Sequence, residues 1–125
     1  VVNDFVESLL ALDPAANVIM LGDLNDFWFS APLLTLADDD LTNTIPLLPE
    51  AERYTYIYDG NSQTLDHILV SDALLGDVAQ VDVVHMNAEF LESERPTDHD
   101  PVMVYLGLPK YRYPFPIMMK FGTPF

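Results

Sequence analysis

The chain has 125 residues, and half of them are hydrophobic, so it is long enough to build one folded domain with its own core. It carries 20 acidic and only 5 basic residues, a formal net charge of −15, which argues against binding of duplex nucleic acid by a basic protein surface alone. It contains no cysteine, which excludes disulfides and thiolate metal sites, and no apolar run reaches the roughly 18 residues of a membrane helix.

The first third of the chain predicts a helix, a strand, a loop and a second helix. The helical spacing of apolar residues over 2–10 ends at Asp13-Pro14. The continuous apolar run 18–21 predicts a buried strand between helices, and residues 22–29 form the loop after it. Ser30 is expected to cap a short helix over 31–37, and the acidic run 38–40 is interpreted as its solvated end rather than a calcium site.

The second part of the chain is predicted to consist mainly of strands. Residues 44–50 are irregular, and residues 54–58 and 64–70 are predicted to pair as a hairpin across a loop over 59–63. A short turn over 71–75, a strand over 78–84, a charged loop over 87–97 and a strand over 102–106 follow. We therefore assign residues 1–108 to one α/β unit, and residues 109–125 to a proline- and aromatic-rich tail of no assigned role.

Three short segments share one pattern, an apolar run with a carboxylate near its end. They lie at residues 18–25, 64–71 and 96–105, and each also contains an Asn or a His. Three such strand ends in one small chain predict convergence on a charged site. Carboxylates suit Mg²⁺, Mn²⁺ or Ca²⁺, and a His beside a carboxylate has a fixed tautomer, so the pattern indicates metal-assisted hydrolysis of a phosphoester.

The motifs within these segments are Gly22-Asp23-Leu24-Asn25, then Leu65-Asp66-His67-Ile68, then Thr97-Asp98-His99-Asp100-Pro101-Val102. In sequence, order and spacing they resemble the second half of the endonuclease/exonuclease/phosphatase superfamily. Within it, the stretch from Tyr54 to Ser71 is most similar to large secreted bacterial nucleases, which implies an extracellular location. The resemblance implies the C-terminal half of a four-layer α/β sandwich, that is, a two-sheet β-sandwich flanked by helices.

The resemblance also implies a role for each matched residue. Asp23 would orient or deprotonate the attacking water, and Asn25 would donate its amide to the scissile phosphate. Asp66 would hold the imidazole of His99, which would donate to a phosphate oxygen or stabilise the transition state. Asp98 would contribute to the site of the Mg²⁺, Mn²⁺ or Ca²⁺ ion, directly or through water. The expected substrate is a phosphodiester, with a nucleic acid favoured.

Three alternatives stay open at this point. The chain could serve a phosphatase or a sphingomyelinase of the same superfamily, or it could be a non-catalytic binding fragment. No residues match the N-terminal half of the family domain, including its metal-binding Glu. We therefore expect that this half is missing, that the inner sheet face is exposed, and that the chain alone is poorly stable and weakly active or inactive.

Several other polar and aromatic residues receive structural interpretations. His67 follows Asp66 in a strand, so its side chain faces away from the site. His85 has no visible partner in the sequence. Trp28 and Phe29 could line a substrate cleft or pack in the core. The tyrosines at 54, 56 and 58 are expected to share one strand face and to pack across the hairpin.

Overall fold

The computed structural model describes residues 2–108, so the tail over 109–125 lies outside the described residues. No helix in the described part is long and apolar enough to cross a membrane. The elements in chain order are α1 (Val2–Leu12), β1 (Ile19–Asp23), α2 (Ala31–Ala37), β2 (Leu41–Asn43), β3 (Tyr56–Tyr58), β4 (Asn61–Gln63), β5 (Asp66–Ser71), α3 (Asp72–Leu75), β6 (Val78–Val83) and β7 (Val102–Leu106). Two short 3₁₀ turns, Ile45–Leu47 and Glu50–Glu52, occupy the predicted irregular region.

A three-stranded antiparallel sheet in the order β1-β5-β2 positions the first two carboxylate motifs. In its register Ile19 pairs with Val70, and Asp23 pairs with Asp66 at the other end of the ladder. The predicted hairpin of residues 54–58 with 64–70 is therefore wrong, because residues 66–71 pair with β1 and β2 instead. The short strand β2 was also absent from the sequence interpretation.

One face of this sheet packs against the first two helices. The buried side chains of Val6, Leu41 and Leu69 form a cluster joined by Leu10 and Met20, among others. α2 begins at the predicted cap, where the Ser30 hydroxyl accepts a hydrogen bond from the backbone N–H of Leu33. The apolar sides of the two helices thus cover the sheet face that carries Leu69.

The opposite face of β1 is open. Ile19 and Leu21 alternate with the buried-side residues and are 46% and 65% exposed. The expectation of a strand buried on both faces is wrong here, because the helices of the described part cover only one face of β1. On the same face Val70, the partner of Ile19, is buried, so the expectation that a missing half leaves the inner sheet face exposed stays a prediction.

Two further antiparallel pairs complete the described fold. β3 and β4 form a hairpin, and β6 pairs with β7, which contacts β5. Residues of β6 and β7 join a second apolar cluster of Ile45, Leu48 and Val83, with Trp28, Val81 and Val102 packed against it. The chain is thus a mixed α/β unit, and its place within a four-layer sandwich stays a prediction.

Candidate active site

Two carboxylates face each other across neighbouring strands. Asp23 ends β1 and Asp66 begins β5, and their Cα atoms are direct partners in the antiparallel register. Directly opposed residues in such a ladder project to the same side of the sheet, and like charges in this arrangement repel. A bound cation would relieve that repulsion.

His99 completes the cluster from a third segment of the chain. Its Nδ1 lies 2.6 Å from Oδ2 of Asp66, a charge-assisted hydrogen bond. One ligand atom from each of Asp23, Asp66 and His99 falls within 4.8 Å of the others. Because Nδ1 donates to Asp66, Nε2 is the ring nitrogen left for a substrate or an ion, and no residue in 2–108 forms a hydrogen bond with it.

Asn25 and Asp98 are close in sequence to members of this cluster, and both are exposed. Asn25 is exposed, has a positive φ of 52°, and its N–H donates to Oδ1 of Asp23 in a 2.8 Å hydrogen bond. This local turn fixes the Asp23 carboxylate and projects the Asn25 side chain towards solvent. Asp98 is exposed and lies in the loop with Glu92 and Arg95, outside the three-residue group.

Asp98 and His99 lie in bends of the chain that precede β7. The His99 ring is directed to Asp66, whereas Asp98 is exposed. A direct ligand role for Asp98 therefore has no support among the described contacts. The sequence interpretation assigned the metal to Asp98, whereas the structure brings Asp23, Asp66 and His99 together.

His67 fixes the loop that follows β1. It is 1% exposed, and its Nε2 lies 2.9 Å from the carbonyl oxygen of Asp26. Its Nδ1 lies 3.0 Å from the amide nitrogen of Asn43. Burial lowers the pKa of His67 and outweighs the opposing hydrogen bond to Asp26 and the nearby charges. His67 is thus a structural residue that faces away from Asp66, as its position in the strand predicts.

A second histidine–carboxylate pair supports the segment that carries His99. Asp100 is 1% exposed and accepts backbone hydrogen bonds from Met86, Asn87 and Ala88 at 2.7 to 3.0 Å. Its other oxygen lies 3.0 Å from Nδ1 of His85. Burial raises the pKa of Asp100, but these hydrogen bonds outweigh burial and hold it below its usual value.

The same turn also holds the backbone of His99. The amide of Asn87 donates to the His99 carbonyl at 2.7 Å, while Nε2 of His85 lies 3.3 Å from Glu52 without forming a hydrogen bond. The sequence interpretation left His85 without a partner and gave Asp100 no role. The partner was 15 positions away, and no local pattern connects the two residues.

The three tyrosines divide between two environments. Tyr54 stacks on His85 with ring centroids 4.0 Å apart, and its hydroxyl donates to Glu89, the main cause of a pKa raised to about 12. Tyr56 instead stacks on His99 at 4.7 Å, and Tyr58 stacks on Tyr56 at 6.4 Å. The expectation that all three tyrosines share one face is therefore wrong for Tyr54, which precedes the strand.

The aromatic residues that follow the first motif also occupy different environments. Trp28 packs against the second apolar cluster, and the Arg53 guanidinium lies 5.7 Å from its ring centroid. Phe29 is exposed and stacks on Phe27 at 5.4 Å. Trp28 thus packs against the core, and it also lines an open cavity together with Phe29, so a role of the pair in a substrate cleft stays a prediction.

The cluster meets the chemical requirements of a hard divalent cation. Its donors are carboxylate oxygens and one imidazole, the two carboxylates oppose each other without an intervening positive charge, and Asp23 is exposed, so water can complete the coordination. Asp23, Asp66 and His99 are the residues that would hold it.

Comparison with known families gives one match. The model described as "Endonuclease/Exonuclease/phosphatase family" matches residues 3–99, which include Asp23, Asn25, Asp66, Asp98 and His99. No curated protein and no solved structure gives a significant match.

Proposed function

The chain belongs to the endonuclease/exonuclease/phosphatase family, and from that premise we propose that its site hydrolyses phosphodiester bonds with a divalent cation, Mg²⁺, Mn²⁺ or Ca²⁺. The observation that carries the proposal is the convergence of Asp23, Asp66 and His99 within 4.8 Å from three separate segments. A bound cation would neutralise phosphate charge and lower the pKa of a coordinated water.

The residues of the chain supply the remaining functions. Asp23 is the exposed carboxylate available to accept a proton from the attacking water, and Asn25 follows it on the same turn with its amide towards solvent. Asp66 accepts from Nδ1 of His99, which orients the ring. The oriented ring leaves Nε2 available at the site, where His99 would help to hold the cation and so stabilise the negative charge that develops on the phosphate.

The finer substrate assignment is nuclease activity, with DNA or RNA as substrate. A phosphatase or sphingomyelinase of the same family is the alternative, and the net charge of −15 supports it, because so acidic a chain repels a polyanion. Comparing hydrolysis of DNA, RNA, an inositol phosphate and sphingomyelin distinguishes these candidates. A third candidate, a non-catalytic binding fragment, predicts no hydrolysis of any of them.

The catalytic assignment is tested by substitution of the cluster. Asp23→Ala and His99→Ala should each reduce the metal-dependent rate by about 10²-fold or more, because each removes a proton-transfer or charge-stabilising group. The matched control is Asp39→Ala, which removes an exposed carboxylate of the acidic run after α2. Rates within a few fold of the unsubstituted protein for both cluster variants, with folding intact by circular dichroism, would contradict the assignment.

A further inference from the structure

A row of three aromatic rings leads from the candidate active site to solvent. The imidazole of His99 stacks on Tyr56, with centroids 4.7 Å apart and planes inclined by 29°. Tyr56 in turn stacks on Tyr58, at 6.4 Å and 20°. Both tyrosines belong to β3 and are two positions apart, so they project from the same face of the hairpin.

The outer end of this row is not part of a hydrophobic core. Tyr58 is 62% exposed, and β3 pairs only with β4, whose Asn61 and Gln63 lie opposite Tyr58 and Tyr56. The described residues therefore leave the Tyr58 ring uncovered. An exposed aromatic ring, in line with a candidate catalytic imidazole, is suited to contact a flat apolar group of the substrate.

The charge distribution indicates how a nucleic acid could bind here. Arg53 and Arg95 are the two cationic side chains among residues 2–108, and both donate to backbone carbonyls, Arg53 to Pro46 and Leu48 and Arg95 to Asn87 and Ala88. Neither is free to track a phosphate backbone as duplex-binding surfaces do. Stacking of bases on aromatic rings supplies affinity without positive charge, and it requires bases that are unpaired.

We propose that Tyr58, supported from behind by Tyr56, forms a stacking platform for an unpaired base near the scissile phosphate, and that the substrate is a single-stranded nucleic acid. This inference rests on the proposed phosphodiesterase function and adds the substrate class to it. A base packs on the exposed Tyr58 ring while a phosphate further along the same strand lies at the Asp23–Asp66–His99 cluster. A duplex would have to unstack its bases to reach the same position.

Binding of labelled oligonucleotides tests the platform. Fluorescence anisotropy is measured in an Asp23→Ala background, which suppresses hydrolysis and keeps the ring stack, with a fluorescein-labelled oligothymidylate as the probe. Tyr58→Ala should weaken binding about 5- to 150-fold, the range for loss of one base–aromatic stack. Tyr58→Phe should retain most of the affinity, because Phe preserves the ring.

Two controls separate stacking from other effects. Tyr105→Ala removes a 51%-exposed tyrosine on β7 and should leave the affinity unchanged. An abasic oligonucleotide of the same length has no base to stack. Its affinity for the protein with Tyr58 intact should therefore be as low as the affinity of oligothymidylate for Tyr58→Ala. The single strand should also bind more tightly than its duplex, with a shallow dependence on salt.

The outcomes distinguish this inference from the proposed function. Unchanged oligothymidylate affinity in Tyr58→Ala, or equal binding of abasic and duplex probes, overturns the platform, and the function stands if His99→Ala still abolishes hydrolysis. Base-dependent binding that needs Tyr58, without hydrolysis of any phosphodiester, supports the platform and overturns the proposed function. Preferred hydrolysis of sphingomyelin or an inositol phosphate, unaffected by Tyr58→Ala, overturns the platform as well.

Discussion

His67 makes two hydrogen bonds that require a neutral imidazole with its proton on Nε2. Nε2–H donates to the Asp26 carbonyl, and Nδ1 accepts from the amide of Asn43. That amide is oriented because its oxygen accepts from the N–H of Ile45 at 3.1 Å. Protonation of Nδ1 would set two donors against each other in a buried position.

This arrangement gives the stability of the chain a defined pH dependence. The unfolded state takes up a proton at His67 near the ordinary value of 6.5, whereas burial lowers the pKa in the folded state. The contribution of His67 is therefore complete above pH 6.5 and is lost as the pH falls below it, by up to about 1.4 kcal/mol per pH unit.

The measurement is the free energy of unfolding by urea between pH 7.5 and pH 5. It should fall towards pH 5, and His67→Gln should flatten that slope. Protonation of Asp100 also reduces the free energy of unfolding, but in a separate pH range. Its pKa lies below the ordinary 3.8, so its contribution to stability is lost only at more acidic pH. An equal slope in His67→Gln and the unsubstituted protein would show that His67 is not the titrating group.

The sequence predicted the orientation of His67 and not the partner of His85, for a physical reason. Alternation along a strand determines which side of a sheet each residue faces, so adjacent Asp66 and His67 must diverge. The His85–Asp100 pair instead depends on how the 84–101 loop closes, which is a tertiary property. Asp98 was expected in the metal site, directly or through water; it lies outside the three-residue group, and its role stays a prediction.

The β3–β4 hairpin is the element on which the aromatic row depends. Its turn consists of Asp59 and Gly60, with φ values of 48° and 77°, and it joins Tyr58 directly to Asn61 in the ladder. Two consecutive positive φ values define the tight turn that matches strand twist, and Asp-Gly is a favoured sequence for it. The dipeptide could have predicted this hairpin, but the apolar run over 64–70 favoured a longer partner strand.

Gly60→Ala should therefore destabilise the hairpin and with it the position of Tyr58. An alanine at this φ costs about 1 kcal/mol although there is free space around the site. The matched control is Gly76→Ala, since Gly76 also has free space but an ordinary helical φ of −67°. Thermal unfolding should show a loss for Gly60→Ala alone. Equal effects of the two substitutions would argue against a strained turn.

The whole molecule combines a net charge of −15 with a group of three residues that could hold a cation. The motif pattern was sufficient to predict the family and the convergence of strand ends, because both depend on short local segments. The sheet order was not predictable, since the pairing of β5 with β1 and β2 depends on contacts between distant segments. The exposed Ile19 and Leu21 leave one face of β1 without a covering element in the described part.

This architecture predicts weak cation binding by the 125-residue chain. Asp23, Asp66 and His99 offer three ligand atoms within 4.8 Å, whereas Mg²⁺ requires six in near-octahedral geometry, so water must supply the rest. Titration calorimetry should give a dissociation constant of roughly millimolar for Mg²⁺, by the dependence of affinity on ligand number. Asp23→Ala should abolish the heat of binding, while Asp39→Ala, which removes the same charge away from the cluster, should preserve it.

Hydrolysis by the chain should correspondingly be slow, and its rate should rise with Mg²⁺ concentration into the millimolar range. Saturation of a fast reaction at micromolar Mg²⁺ would mean that the described cluster already forms a complete site.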